Sequence, residues 1–154
     1  TAVPVTPMWG ATAAVALDDP PEHVLEEASV QEISSGPSGD LFSLVTAQGV
    51  SVVGSTMSTG EPDLGPTIAR VRERARRFLP AAAEAPVTAV RKCPRPQTLD
   101  GRPIVGRLDH RTFVCTGHGP WGISTGPATA RHVARQILDR TPPPPELNPT
   151  RFAS

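Results

Sequence analysis

An arginine between two prolines is the first feature of this sequence that could bind a ligand. Arg95 lies in the segment CPRPQTLDGRPIVG, residues 93–106. A guanidinium offers a planar fork of N–H donors that matches a carboxylate, and prolines restrict the backbone that carries it. The segment therefore predicts a carboxylate-binding arginine. An ordinary ion pair with Asp100 or Asp109 is the alternative.

A glycine-rich loop is the second feature. The strand predicted at residues 112–116 leads into TGHGPWG, and a helix is predicted from Pro127 to Asp139. The first N–H groups of a helix have no partner within it and lie at the positive end of its dipole, so this place suits an anion or an electron-rich ring edge. The loop lacks the Gly-Lys-Ser/Thr ending of a nucleotide P-loop, and its glycines do not open directly onto the predicted helix as those of the dinucleotide fingerprint Gly-x-Gly-x-x-Gly do. A purely structural glycine turn is therefore the alternative.

Composition and charge restrict the class of protein. The chain has 154 residues, the length of one domain, and its fifteen basic and fifteen acidic side chains cancel, which argues against nucleic acid or an anionic membrane as partner. Cys93 and Cys115 fit neither a zinc site nor a disulfide-rich scaffold. No apolar run is long enough to span a bilayer, and no secretory leader begins the sequence. These features predict a cytoplasmic protein without a metal.

Hydrophobic periodicity predicts an α+β fold. Leu41–Val45, the turn AQG and Val50–Val53 read as a β-hairpin. Further strands are predicted at residues 11–17, 87–91, 102–105 and 112–116, and residues 24–30 read as a strand or a short helix. Four consecutive prolines end the last helix, so residues 141–154 are predicted as a tail on a domain formed by residues 1–140.

Two helices are predicted to be amphipathic. The first begins near Pro66, and its apolar face comprises Ile68, Val71, Ala75, Phe78 and Leu79. The second is predicted to bury a stripe formed by Ala130, Val133, Ala134, Ile137 and Leu138. The other face of the first helix carries five arginines, Arg70, Arg72, Arg74, Arg76 and Arg77. We expect this face to be solvated rather than to bind phosphate.

Taken together, the two chemical segments resemble a known family. RPQTLDGRPIVG, followed by TGHGPWGISTGPATARHVARQI, is similar to the C-terminal signature of the FAD-dependent D-amino acid oxidase and glycine oxidase superfamily, Arg-Pro-x-x-x-Asp-Gly-x-Pro-x-x-Gly and then Gly-His-x-x-x-Gly before the last helix. Weaker similarity extends to VPVTPMWG, VVGSTM and LNPTRF. The resemblance covers nearly the whole chain, but only the second half of the family's architecture.

The resemblance implies a fold and a function. The fold would be a mostly antiparallel sheet with two packing helices, with the second helix returning toward a dinucleotide-binding region. The one Gly-x-Gly-x-x-Gly spacing, at Gly117, Gly119 and Gly122, does not open directly onto the helix predicted from Pro127. The half of the family fold that binds the ADP part of FAD is therefore expected to be absent, and weak FAD binding is expected of this chain alone. The implied function is the substrate-binding and flavin-capping part of an oxidoreductase acting on an amine or amino acid. The alternative is a truncated non-redox relative that binds a small molecule or acts as a cyclase.

The resemblance also assigns site residues. Arg95 would bind the substrate carboxylate, and the flavin ring would be surrounded by Gly119, Pro120, Trp121, Gly122, Ile123 and Ser124. Gly122 is expected either to need positive φ or to lie where a side chain would press on the ring. His118 is expected to be structural, because hydride passes directly to flavin in this family.

Departures from the family pattern restrict the substrate. The chain has no tyrosine, and Pro120 stands where some relatives carry a second arginine, which argues against simple amino acids. Some relatives attach flavin through a cysteine, which makes Cys93 a candidate for covalent attachment. A buried free thiol is the favoured interpretation of Cys93.

Overall fold

The computed structural model describes residues 3–27 and 39–152, and the chain divides into two compact units. One unit comprises Trp9–Pro94, and the other combines Thr1–Met8 with Arg95–Ser154. The predicted division into residues 1–140 and 141–154 is a different partition and stays a prediction. The α+β class with mostly antiparallel pairing is confirmed.

The larger of the two sheets has five strands, and their order across the sheet is β2-β3-β4-β1-β5. Its strands are β1 (Val5–Val15), β2 (Leu25–Glu26), β3 (Gly39–Ala47), β4 (Val50–Met57) and β5 (Val87–Thr98). The predicted hairpin is confirmed, and its turn consists of two residues with positive φ, Gln48 and Gly49. Of the predicted element at residues 24–30, Leu25 and Glu26 form a strand and residues 28–30 lie outside the described part.

The helix α1 (Leu64–Ala75) packs on this sheet through Ile68, Val71 and Ala75, as the periodicity predicts. Its N-terminus is capped by Asp63, whose side chain accepts a hydrogen bond from the Gly65 N–H. The buried cluster around it includes Val15, Phe42, Leu44 and Val53.

The prediction that the first helix continues to Leu79 is wrong. It ends at Ala75, and a short second helix, α2, covers Pro80–Glu84. Because a residue before proline is pushed out of the helical region, Leu79 adopts extended backbone and begins a new helix. Phe78 is half exposed and stacks on Phe42 with ring centroids 4.8 Å apart.

The arginine face of α1 binds neighbouring acidic groups and carbonyls. Arg74 makes a bidentate ion pair with Glu27, with both N···O distances 2.6 Å, and the same carboxylate accepts the Phe42 N–H. Arg72 donates to the carbonyls of Ala83 and Ala85, which fixes α2 against α1. Arg72 and Arg74 therefore link α1 to α2 and to the residue after β2 within the Trp9–Pro94 unit, in addition to any solvated arginines on this face.

The second unit contains a two-stranded sheet and one long helix. Its strands are β6 (Ile104–Arg107) and β7 (Phe113–Thr116), and its helix is α3 (Gly122–Leu138). The chain then makes 3-10 turns at Pro145–Leu147 and Pro149–Phe152, both of which contact β6. None of the helices among residues 3–27 and 39–152 has the length and apolar character needed to cross a bilayer.

The helix α3 differs from its prediction at its start and on its buried face. It begins at Gly122 rather than Pro127, which lies inside it. The predicted buried stripe is wrong, because Val133 is half-buried while Ala130, Ala134, Ile137 and Leu138 are exposed. The buried residue of this helix is Thr129.

We expect Glu27→Ala to lower the free energy of unfolding by about 2 to 3 kcal/mol, because it leaves Arg74 without its bidentate partner in a largely buried place. The Arg74 hydrogen bond lowers the pKa of Glu27, so this stabilisation is present above the ordinary pKa of a carboxyl and is lost as pH falls through the folded-state pKa. Denaturant unfolding at neutral and acidic pH measures both effects. Glu73→Ala is the control, since Glu73 is 70% exposed in its ion pair and should cost less than about 0.5 kcal/mol. Equal losses in the two variants would contradict this account.

Candidate functional site

The strand β5 places Arg95 and Gln97 on one face, because side chains two residues apart in a strand point to the same side. Arg95 is half-buried, while the prolines beside it are exposed. Prolines are tolerated here because β5 is an edge strand of the five-stranded sheet. Gln97 was missed by the sequence analysis, although its position two residues after Arg95 in a strand could have indicated it.

The glycine loop after β7 lies directly against the end of β5. His118 forms an isolated β-bridge with Gln97. Gly117 is buried with a φ of +78°, and a Cβ there would lie 2.6 Å from the Thr98 Cγ2. Gly119 has a φ of +54°, and its Cβ would overlap the Gln97 side-chain oxygen. The loop is therefore held against Gln97 and Thr98, which follow Arg95 in β5.

The loop residues assigned to the flavin ring form a 3-10 turn and the first turn of α3. Gly119, Pro120 and Trp121 make up the turn, and Gly122 begins the helix. Trp121 is 63% exposed and Ile123 is 96% exposed. The N-cap residue Trp121 makes no side-chain hydrogen bond to the N-terminus of α3, and the 3-10 turn at Gly119–Trp121 leads directly into this helix. The structure thus brings these residues, with Ser124, together at one exposed helix N-terminus.

The expectation that Gly122 needs positive φ is wrong. Its φ is −57°, an ordinary helical value. A Cβ at Gly122 would meet only the His118 Cβ, at an ordinary contact distance of 3.7 Å. Nothing among the described residues requires glycine there, so the other half of that expectation, contact with a bound ring, stays a prediction.

Asp100 and Gly101 form the turn that follows β5. Asp100 accepts the Arg102 N–H at 3.1 Å, and Gly101 has a φ of +70°. Arg151 donates to both Asp100 oxygens, at 2.8 and 3.1 Å, and also to the Arg102 carbonyl. The hydrogen bond from Arg151 holds the pKa of Asp100 well below its usual range. The Asp-Gly turn is therefore clamped to the last 3-10 turn of the chain.

Asp109 and Gly106 also have structural roles. The Asp109 carboxylate accepts the backbone N–H groups of Arg111 and Thr112, which lowers its pKa. Gly106 has a φ of +146°, and a Cβ there would lie 2.9 Å from the Pro149 Cδ, so this glycine lets the chain end pack on β6. Both carboxylates thus have structural partners, and the carboxylate role of Arg95 and its alternative ion pair with Asp100 or Asp109 both stay predictions.

A polar cluster lies where the loop meets α3. His118 Nε2 is 2.8 Å from the Thr129 hydroxyl, and the Cys115 thiol donates to the same oxygen at 3.2 Å. Burial lowers the pKa of His118. Cys93 is exposed, contrary to its favoured interpretation as a buried thiol, and its covalent attachment to flavin stays a prediction. Within residues 3–27 and 39–152, no three His, Cys, Asp or Glu side chains group as a metal site would require.

Comparison with known proteins supports the sequence resemblance. The family model DAO, described as FAD dependent oxidoreductase, matches residues 1–136. Glycine oxidase of Bacillus subtilis (strain 168) is 36% identical over 95 residues, which are 58% of this chain and 26% of that protein.

Solved structures share the fold. Glycine oxidase from Geobacillus kaustophilus superposes with a TM-score of 0.77 and 23% identity, over 99% of this chain and 41% of that one. Iminodiacetate oxidase from Chelativorans sp. BNC1 gives a TM-score of 0.74 and 19% identity, over 94% of this chain and 39% of that one. The chain therefore spans less than half the length of each of these relatives.

We expect Asp100→Asn to lower the free energy of unfolding at neutral pH by about 1 to 2 kcal/mol, because the amide cannot accept both Arg151 donors. Since the folded-state pKa of Asp100 is lowered, the wild type should keep this stabilisation above the ordinary carboxyl pKa and lose it as pH falls through the folded-state value. Arg151→Lys, which keeps the charge but not the fork, should lose a similar amount. Denaturant unfolding of the three proteins at two pH values measures this, and an Asp100→Asn variant as stable as wild type at pH 7 would contradict the clamp.

Proposed function

The chain belongs to the family of FAD dependent oxidoreductases, and on that basis we propose that it is the substrate-binding and flavin-capping part of an enzyme that oxidises an amine or amino-acid-like substrate by hydride transfer to FAD. The observation that carries the proposal is the contact of the glycine loop with the end of β5, through the bridge of Gln97 to His118. It holds the half-buried residue Arg95 and a helix N-terminus without a side-chain cap in one compact unit.

Arg95 is the proposed carboxylate-binding residue. Its guanidinium can donate two parallel hydrogen bonds to a carboxylate, and its strand is stiffened by proline on both sides. Glycine and iminodiacetate, which name the substrates of two similar proteins, both carry a carboxylate. A substrate held this way would present its amine-bearing carbon at a defined distance from the fork.

The start of α3 is the proposed flavin contact. This helix start has no side-chain cap, the positive end of its dipole fits the electron-rich edge of a flavin ring, and Gly122 leaves the approach to it open. FAD bound there would supply the acceptor for the substrate hydride. Trp121 and Ile123 would cover the ring and exclude water, and the Ser124 hydroxyl could donate one further hydrogen bond.

The apolar face of α3 supports a proposed contact with a dinucleotide-binding region. The one Gly-x-Gly-x-x-Gly spacing in this sequence, Gly117-Gly119-Gly122, leads from β7 into α3, and the proposed function assigns Gly119 and Gly122 to the flavin ring rather than to the ADP part of FAD. One side of α3 carries the exposed apolar residues Ile123, Ala130, Ala134, Ile137 and Leu138. Contact with a dinucleotide-binding region would bury these residues.

The colour of the purified protein separates this function from the non-redox alternative. Because weak FAD binding is expected of this chain alone, it is expressed together with a dinucleotide-binding region, and a yellow protein with flavin absorption bands is then expected when FAD is supplied. A colourless protein that nevertheless binds a small carboxylate in calorimetry would favour the truncated, non-redox binding function instead.

Gly122→Val should remove flavin from the FAD-containing protein and leave the fold intact. The backbone at Gly122 is helical and a Cβ has room within this chain, so the added methyl groups should meet only the bound ring. Flavin content by absorbance and Tm by calorimetry give the two results. Gly126→Ala is the matched control, because a Cβ there meets nothing within 4 Å. Full flavin content in Gly122→Val would mean that the loop is only a structural turn.

Arg95→Lys should lower kcat/KM toward a carboxylate-bearing substrate by about 100-fold, or about 3 kcal/mol, with little change in Tm. Lysine keeps the charge but loses the two-pronged geometry that positions the substrate. Steady-state kinetics and thermal unfolding are measured on the same preparation. Arg102→Lys, an exposed arginine beyond the Asp-Gly turn, is the control. A clear drop in Tm with unchanged kcat/KM would assign Arg95 a structural role.

A further inference from the structure

Thr129 is a buried polar residue on a helix whose apolar residues are largely exposed. Its exposed fraction is 6%, while Ile137 and Leu138 on the same helix are 56% and 78% exposed. A buried hydroxyl is costly unless its hydrogen-bonding groups are satisfied. The partners of Thr129 therefore indicate why a hydroxyl lies at this position.

The Thr129 hydroxyl joins three elements. Its single proton is directed at the α3 carbonyls of Thr125 and Gly126, at 3.2 and 3.0 Å. Its lone pairs then accept hydrogen bonds from the thiol of Cys115 on β7 and from His118 Nε2 in the loop. Each lone pair and the proton of this hydroxyl thus have a partner.

This arrangement favours one tautomer of His118. The carbonyls of Thr125 and Gly126 can only accept, and when the Thr129 proton is directed to them His118 Nε2 is the donor in the 2.8 Å contact. In the neutral ring Nδ1 is then unprotonated. In this tautomer Nε2 donates to Thr129 and does not accept a proton from the Cys115 thiol, whose Sγ lies 3.9 Å away.

His118 links the hydrogen bond of its imidazole with Thr129 to the backbone of the glycine loop. Its carbonyl accepts the Trp121 N–H at 3.1 Å, and its backbone forms the bridge to Gln97. The hydrogen bond to Thr129 therefore fixes the turn at residues 119–121 relative to both α3 and the end of β5.

The geometry points to a positioning function for this pair: His118 and Thr129 form a latch that orients the first turn of α3 toward the flavin ring. This inference rests on the proposed function, because it assigns the latched turn to flavin. His118 is a positioning residue in this account, and Thr129 sets its tautomer. Neither residue needs to touch the substrate.

Three variants of α3 test the latch. Thr129→Val keeps the branched shape and removes the hydroxyl, Thr129→Ser restores the hydroxyl, and Thr125→Val removes a hydroxyl that bonds only the Trp121 carbonyl among the described contacts. We expect Thr129→Val to weaken FAD binding about ten-fold, to shift the flavin absorption spectrum and to lower kcat more than KM. Thr129→Ser and Thr125→Val should remain close to wild type.

A readout without flavin tests the same contact. Histidine 15N chemical shifts of the flavin-stripped protein at neutral pH should show the Nε2–H tautomer for His118 in wild type and Thr129→Ser, and a mixture of tautomers in Thr129→Val. If Thr129→Val does not fold, His118→Gln, whose amide can donate from a similar position, should keep most of the flavin and His118→Leu should lose it.

The outcomes distinguish the latch from the proposed function. A wild type that binds no FAD even together with a dinucleotide-binding region would overturn the proposed function and the flavin role of the latch, while the 15N shifts would still decide whether the contact sets the tautomer. A wild type that binds FAD, with Thr129→Val unchanged in spectrum, affinity and kinetics, would overturn the latch alone.

Discussion

The close approach of Gly117 to Thr98 is the constraint on which the candidate site depends. Because no side chain fits between this loop and the end of β5, the chain leaving β7 can pair with Gln97 and turn at once into α3. A β-carbon there would push the loop outward and separate the helix N-terminus from the strand that carries Arg95. The proposed carboxylate and flavin contacts are thus consequences of one backbone contact that involves neither of them.

The two units are stabilised in different ways. The Trp9–Pro94 unit has an apolar cluster between sheet and helix, which includes Phe42, Leu44 and Val71. The other unit buries Ile104 and Val105 completely, but polar and backbone contacts determine most of its loop geometry. The clamp of Asp100 to Arg151 and the packing of Gly106 on Pro149 are examples. This difference explains why the turns of the segment CPRPQTLDGRPIVG contain small and charged residues instead of large apolar ones.

Local patterns in the sequence predict the hairpin and the buried positions Ile68, Val71 and Ala75, because turn chemistry and helical periodicity act over a few residues. They do not predict which glycines need positive φ, since that depends on contacts such as Gly117 with Thr98. The apolar stripe of α3 is exposed for a related reason. Periodicity identifies an apolar face, but it does not say what covers that face. Thr129 was missed because only the fold brings it to His118.

The clamp between Asp100 and Arg151 has a consequence for synthesis of the protein. The unit that contains it is assembled from Thr1–Met8 and Arg95–Ser154, so its parts are far apart in the order of translation. The Trp9–Pro94 unit can form its core while the nascent chain is still growing. The glycine loop and the strands β6 and β7, by contrast, obtain their last support only when Arg151 has emerged from the ribosome. Premature termination within the final turn would therefore leave one unit folded and the candidate site unsupported.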